Sequence, residues 1–176
     1  MERSKEHRLI ARMSAVAVFG ALSFVLTAFC QIPYASGAGY FNFGDVIDLV
    51  GAILFGPVEG ALIGIIGGTF SDLFLGYMIF APWSILAKGL MGLISGLLYI
   101  VLKKHKLLRF ISLFVGATFE ILVYMLCYYL NFGMAGLLSS AFDCVQAYAS
   151  ALIASFLYFA LEKAKINEIF AHKEKS

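Results

Sequence analysis

Basic residues punctuate this chain only at alternate boundaries between long apolar runs. Arg3, Lys5, Arg8 and Arg12 precede the first run. Lys103, Lys104, Lys106 and Arg109 separate two later runs, and Lys163, Lys165, Lys173 and Lys175 follow the last. The connections on the opposite side carry none, and of the thirteen Lys and Arg residues only Lys88 lies inside an apolar stretch. This is the positive-inside pattern of a chain that crosses a membrane several times and keeps both termini in the cytoplasm. A spanning helix needs about 20 apolar residues. A chain of 176 residues, 61% of them hydrophobic, has room for six such helices with short connections. The expected fold class is therefore an all-α integral membrane protein, one membrane domain over residues 1–176.

The net charge of +2 gives no indication of nucleic acid, because the cations sit at helix ends as topology signals. Cys30, Cys127 and Cys144 fall in or beside apolar runs without a CxxC spacing. They read as small buried hydrophobes and not as a disulfide framework or metal site. The residues call for no metal and no cofactor. Leu26 to Cys30 faintly resembles a lipoprotein cleavage site, but Phe29 is bulky where a small residue is wanted. The run from Met13 to Cys30 also exceeds the ~7–15 residues of a signal peptide's apolar region. It reads as a retained first span.

The expected spans are 9–30, 46–55, 58–76, 81–102, 110–130 and 140–161. Between the first two, residues 31–45 form a glycine-rich, aromatic, base-free segment that belongs outside. The second run is only about ten residues, a rise of about 15 Å, half of the ~30 Å hydrocarbon core. Its Asp45–Asp48 end therefore belongs in a protein-lined cavity within the membrane's thickness. Gly60, Gly64 and Gly68, and again Gly92 and Gly96, recur at four-residue spacing and mark faces where helix backbones approach closely. Ala11/Ala15 and Ala17/Ala21 on the first span have the same spacing and suit either internal packing or a partner protein.

Asp48, Asp72, Lys88, Glu120, Asp143 and Gln146 are the polar groups left within the membrane. With spans alternating in direction and a rise of ~1.5 Å per residue, five of the six fall in the outer half. Lys88 is about 10 Å deep. Trp83 and Ser84 share its helix, Ser84 one turn away; Glu120, Tyr124 and Tyr128 follow at i, i+4, i+8 along one face. Two acids, a base, hydroxyls, amides and flat rings converging in one place suit a small, flat, polar heterocycle. Plainer readings stand beside this one. Lys88 paired with Asp72 or Asp143 serves as a structural ion pair. Trp83, Tyr124 and Tyr128 serve as interfacial aromatics. Asp45 caps the second helix, and Glu59 is an acid favoured at a helix N-terminus.

The runs Tyr40-Phe41-Asn42-Phe43-Gly44-Asp45, Gly51 to Pro57, Gly60-Ala61, Ser71-Asp72-Leu73, Ala81-Pro82-Trp83-Ser84 and Lys88-Gly89-Leu90 together resemble the substrate-binding S component of energy-coupling factor (ECF) vitamin transporters. The resemblance runs from the first span to the sixth, is most specific between Phe41 and Gly96, and is nearest the hydroxymethylpyrimidine and pyridoxine-type branch. It implies six helices, a vitamin site near the outer face beneath the first external loop, and no catalysis. It also implies partners: a transmembrane T component, met through an Ala-xxx-Ala motif on the first helix, and two cytoplasmic ATPases. The chain contains no Walker A pattern, as such a division of labour requires.

The expected function is the high-affinity binding subunit of an ATP-driven vitamin importer in the bacterial cell membrane. Expected substrate contacts are Tyr40, Phe41, Asn42, Asp48, Asp72, Trp83, Ser84, Lys88, Glu120, Tyr124, Tyr128, Asp143 and Gln146. Residues 31–45 are expected to close over the ligand as a lid, and Lys88 to reach a ligand oxygen or an acid beside it. Ala11, Ala15, Ala17 and Ala21 are the expected T-component contacts. Pantothenate and riboflavin are the competing ligands, pantothenate because a lone lysine suits a carboxylate. An intramembrane enzyme using acid–base chemistry is the competing class, but no nucleophile–base constellation stands out. A self-sufficient ion-coupled transporter is a third, and the absence of an inverted repeat argues against it.

Overall fold

The computed structural model describes residues 2–30, 32–33, 40–41 and 43–164. Among them are six long helices: α1 (Glu2–Phe29), α2 (Gly44–Phe55), α3 (Pro57–Leu75), α4 (Ala81–Leu102), α5 (Ile111–Ser139) and α6 (Ala141–Lys163). A single 3-10 turn, Leu108–Phe110, precedes α5. Two short strands, β1 (Ile32–Pro33) and β2 (Tyr40–Phe41), pair antiparallel between α1 and α2, Ile32 opposite Phe41.

Four segments are long and apolar enough to cross a membrane: Leu9–Phe29, Ala81–Leu102, Leu108–Leu138 and Ala141–Lys163. The remaining two helices differ for separate reasons. α3 has 19 residues and carries Glu59 in its first turn and Asp72 in its last. α2 has 12 residues and rises only about 18 Å.

Helix α2 is the hub of the bundle. Nine of its residues are buried, Asp45 and Asp48 among them. Its Val46, Leu49, Val50 and Ile53 meet Met91 of α4, Leu113, Ala117 and Ile121 of α5, and Ala147, Ala151, Ala154 and Tyr158 of α6 in one core. A short helix with two carboxylates is tolerated at this depth because protein, not lipid, surrounds it. The outer faces are apolar instead: Val18, Phe70, Val101, Leu126 and Phe156 are all exposed. That is the arrangement expected where the surrounding solvent is hydrocarbon.

Turn chemistry fixes the helix ends. Gly56, at φ 112°, is the single residue between α2 and α3, and Pro57 opens α3, where its missing N–H costs nothing. Gly76 closes α3 in the left-handed conformation, and the Tyr77 N–H returns to the Asp72 carbonyl at 2.7 Å. The fifth span is expected to end at residue 130; the helix breaks at Gly133 (φ 63°, ψ −151°), and a second helical stretch carries α5 on to Ser139.

The spaced glycines are internal packing faces. A Cβ on Gly60 would lie 2.5 Å from the Ala52 Cα on α2, and one on Gly92 would lie 2.4 Å from the Gly60 carbonyl. One on Gly68 would lie 2.9 Å from the Cγ of Lys88. The backbones of α2, α3 and α4 thus approach as closely as glycine allows, and the Lys88 stem lies against the bare face of α3.

At one end of the bundle Lys103, Lys104 and Lys106 are exposed. Arg12 pairs there with Glu59 at 2.7 Å, and the Arg109 guanidinium grips Glu162 with both terminal nitrogens, Nη1 to Oε1 at 2.7 Å. We expect Gly92→Val to lower the melting temperature in detergent markedly, since overpacking costs about 1–3 kcal/mol and here the obstacle is backbone. Gly89→Ala, whose new methyl meets only the flexible end of Ile65 at 3.2 Å, should change it little. Equal melting of the two variants would refute this packing account.

Candidate functional site

The end of the bundle opposite the exposed lysines carries the strand pair, the turn at 76–80 and the start of α2. Here the helices bring their polar groups together. On α4 the buried residues Ala81, Ser84, Ala87, Lys88, Met91, Gly92 and Ser95 recur at three- and four-residue steps, so Ser84 and Lys88 share the stripe that faces the core. Asp45 and Asp48 are one turn apart on α2, both 1% exposed.

The Lys88 ammonium donates to Asp45 Oδ1 and to Glu120 Oε1, and all three side chains are buried. The second oxygen of Asp45 accepts the Gln146 amide of α6 at 2.9 Å. A separate chain starts at Tyr124, whose hydroxyl lies 2.7 Å from Ser84 Oγ; Ser84 in turn donates to Asp72 Oδ2. A serine hydroxyl has one proton, so Tyr124 is the donor to Ser84, and every hydroxyl in this chain points towards an acid. The Tyr124 ring also lies 5.8 Å from the Lys88 ammonium, close enough for cation–π attraction. Asp143, half-buried in the first turn of α6, interacts electrostatically with Lys88 and Asp45.

One cation thus holds α2, α4 and α5 together, with α6 attached through Gln146 and α3 through Asp72. Such a cluster binds and orients.

Most of the residues anticipated from sequence meet here: Asp48, Asp72, Ser84, Lys88, Glu120, Tyr124, Asp143 and Gln146. The partners of Lys88 are corrected. They are Asp45 and Glu120, not Asp72 or Asp143, because Ser84 occupies Asp72 and the start of α2 reaches deeper than a loop would. Asp45 is the residue that sequence reasoning left out of the site. It is no helix cap, since Phe43 holds the N-cap position. Its i, i+3 spacing from Asp48 was the available signal. Tyr128 lies outside the charged cluster, packed with Phe80 at 5.3 Å and Phe132 at 6.2 Å between ring centroids. The Trp83 side chain is half-buried and makes no hydrogen bond among the described residues. Phe41 packs edge-on against Phe43 at 5.1 Å. Asn42 and the Tyr40 side chain lie outside the described residues. On α1, Ala11, Ala17 and Ala21 are exposed, whereas Ala15 is half-buried.

Removing one partner of a buried ion pair costs about 3–5 kcal/mol, because the other charge is left behind. Lys88→Met should therefore destabilise the protein by about that amount in detergent melts. Adding Glu120→Gln should recover part of the loss. A double variant no more stable than Lys88→Met would show that the pair is not coupled as described.

A family model described as "ECF-type riboflavin transporter, S component" matches residues 9–163. An uncharacterised protein from the gap 3′ region of Pyrococcus woesei is 29% identical over 140 residues, covering 79% of this chain and 93% of that protein. A UPF0397 protein of Streptococcus pneumoniae (serotype 19F, strain G54) is 34% identical over 88 residues, half of this chain but only 47% of the streptococcal protein. The solved S component of a bacterial ECF transporter superposes with a TM-score of 0.64 over 88% of this chain and 97% of that one. At 20% identity that likeness is one of fold. With the family match spanning nearly all of the helical bundle, the chain belongs to the S components of ECF transporters, a family of transporter subunits and not of enzymes.

Proposed function

We propose that this chain is the substrate-binding subunit of an ATP-driven vitamin importer in the bacterial cell membrane. Its six helices all lie within the membrane, with both termini in the cytoplasm. The ligand is a small, flat, polar heterocycle, hydroxymethylpyrimidine or a pyridoxine-type vitamin. The observation that carries this reading is the buried Asp45–Lys88–Glu120 cluster with Gln146, Ser84 and Tyr124 around it. A chain this apolar gains nothing from burying so many polar groups at one depth, unless that depth is where it binds. The exposed lysines at the other end support the orientation, with the site towards the outside.

The family description favours riboflavin as a second reading. Pantothenate loses its rationale, because Lys88 already has two carboxylate partners. The paired strands at 32–33 and 40–41 lead directly into α2 and Asp45, which supports residues 31–45 as the lid. For the T component, Ala17 and Ala21 are the better-presented pair, both exposed where Ala15 is half-buried. Two cytoplasmic ATPases complete the importer in this reading.

Titrating the detergent-purified chain with hydroxymethylpyrimidine, pyridoxine, riboflavin and pantothenate, by calorimetry and Trp83 fluorescence, tests the ligand. One vitamin should saturate at nanomolar to low-micromolar concentration. If none of the four binds, the vitamin reading is wrong. Ala17→Leu with Ala21→Leu should abolish co-purification with the T component and ATPases and leave ligand affinity within about twofold, since a bulky side chain blocks close helix approach. Retention of the complex would move the docking face elsewhere. Shortening residues 34–39 should speed both association and dissociation of ligand, and unchanged rates would eliminate the lid.

A further inference from the structure

The acids around Lys88 outnumber the donors available to them. Asp45, Asp48, Asp72, Glu120 and Asp143 face one lysine. Lys88 is committed to Asp45 and Glu120, Gln146 to Asp45, and Ser84 to Asp72. Tyr124 is committed to Ser84. After those assignments two carboxylate oxygens, Glu120 Oε2 and Asp48 Oδ1, have no hydrogen-bond partner among the described residues. Both residues are almost wholly buried, Glu120 at 3% exposure and Asp48 at 1%. Ser23 Oγ of α1, itself without another hydrogen-bond partner among the described residues, lies beside Asp48 and is the protein donor nearest to it.

An ionised carboxylate only accepts hydrogen bonds, and a buried acceptor left without a donor is costly. Glu120 is the decisive group. Its Oε1 is fixed on Lys88 in the middle of the cluster, so its Oε2 lies in the same place and faces no donor among the described residues. A carboxylate-bearing ligand would add a negative charge beside five acids and find the only lysine occupied. A ligand that brings N–H groups, or a positive charge, supplies what the site lacks.

We infer that the site takes a nitrogen heterocycle that presents an amine or a protonated ring nitrogen to Glu120 Oε2, with Asp48 as a second acceptor, and that it excludes anions. The inference rests on the binding-subunit reading above and narrows its substrate to a donor-bearing, neutral-to-cationic class. Glu120 is then a specificity determinant: it selects for donor over acceptor at one ligand position.

The test uses the full chain in detergent and a matched ligand pair, 4-amino-5-hydroxymethyl-2-methylpyrimidine and the analogue in which a 4-oxo group replaces the amine. The amine should bind, and the oxo analogue should bind ~100-fold more weakly or worse, since a site built around a hydrogen bond rejects the ligand that lacks it. Pantothenate should give no heat. Glu120→Gln supplies an amide that both donates and accepts, so the preference for the amine over the oxo analogue should shrink at least about tenfold. Because that variant can lose stability, its melting temperature is recorded, and Asp48→Asn provides a second, independent change in the same ratio.

Oxo and amino ligands of equal affinity, or an unchanged ratio in a folded Glu120→Gln protein, would overturn the inference. So would tight binding of pantothenate, although the binding-subunit reading would survive it. If no ligand in the panel binds while the chain still co-purifies with ATPase subunits, the donor class is wrong and the importer reading stands. If neither binding nor co-purification occurs, both fall.

Discussion

Everything at the polar end of this bundle depends on one ammonium group. Lys88 sits at a depth where a lone charge is expensive, and it is stabilised only because Asp45 and Glu120 reach it from two other helices. The arrangement is reciprocal. Without Lys88 the two carboxylates would lose their counter-charge, and α2, α4 and α5 would lose the contact that sets their relative rotation at this end. Gln146 and the Tyr124–Ser84–Asp72 chain then extend the same polar layer to α6 and α3. A membrane bundle cannot rely on the hydrophobic effect to hold helices against one another, so directional contacts of this kind carry more of the specificity.

The rest of the packing makes room for that layer. Glycine faces on α3 and α4 bring their backbones together, and α2 is enclosed so thoroughly that half a membrane's thickness suffices. Close approach at Gly64 and Gly68 lays the lysine stem along α3 and delivers its head to the carboxylates. At the opposite end the Arg109–Glu162 and Arg12–Glu59 pairs bind helix ends together near the exposed lysines. The two ends therefore differ in kind. One is tied by ion pairs at its periphery, and the other gathers charge in its interior.

Much of this was legible in the sequence, for reasons that can be named. Apolar run lengths gave α4 and α6 within two residues and the far end of α1 within one, though α1 begins seven residues before its apolar run. In lipid a chain must satisfy its backbone internally, and long uninterrupted runs do so as helices. The shortness of α2, with acids at its start, already implied a protein-lined cavity. Eight of the thirteen expected site residues meet in the cluster, since intramembrane polar residues have few places to go. The misplacements share one cause. Asp45 was assigned to a loop or a cap, and Lys88 to Asp72 or Asp143, because spacing along a chain does not say which helices face each other. The second helical stretch of α5, beyond residue 130, follows a non-helical break at Gly133, which the polar residue Asn131 and the glycine signalled only as an end.

What the sequence determined by itself was the solvent of the fold, the number of helices and which residues are too polar for lipid. Those properties are set locally, by the length and apolarity of each run and by where the cations fall. The pairing of Lys88 with Asp45 and Glu120, and the two acid oxygens that meet no donor among the described residues, were decided only by tertiary structure. They depend on how far α2 rises before it meets α4, and on how each helix is rotated about its axis. Those quantities are fixed by glycine-to-backbone contacts between helices, which no single helix specifies.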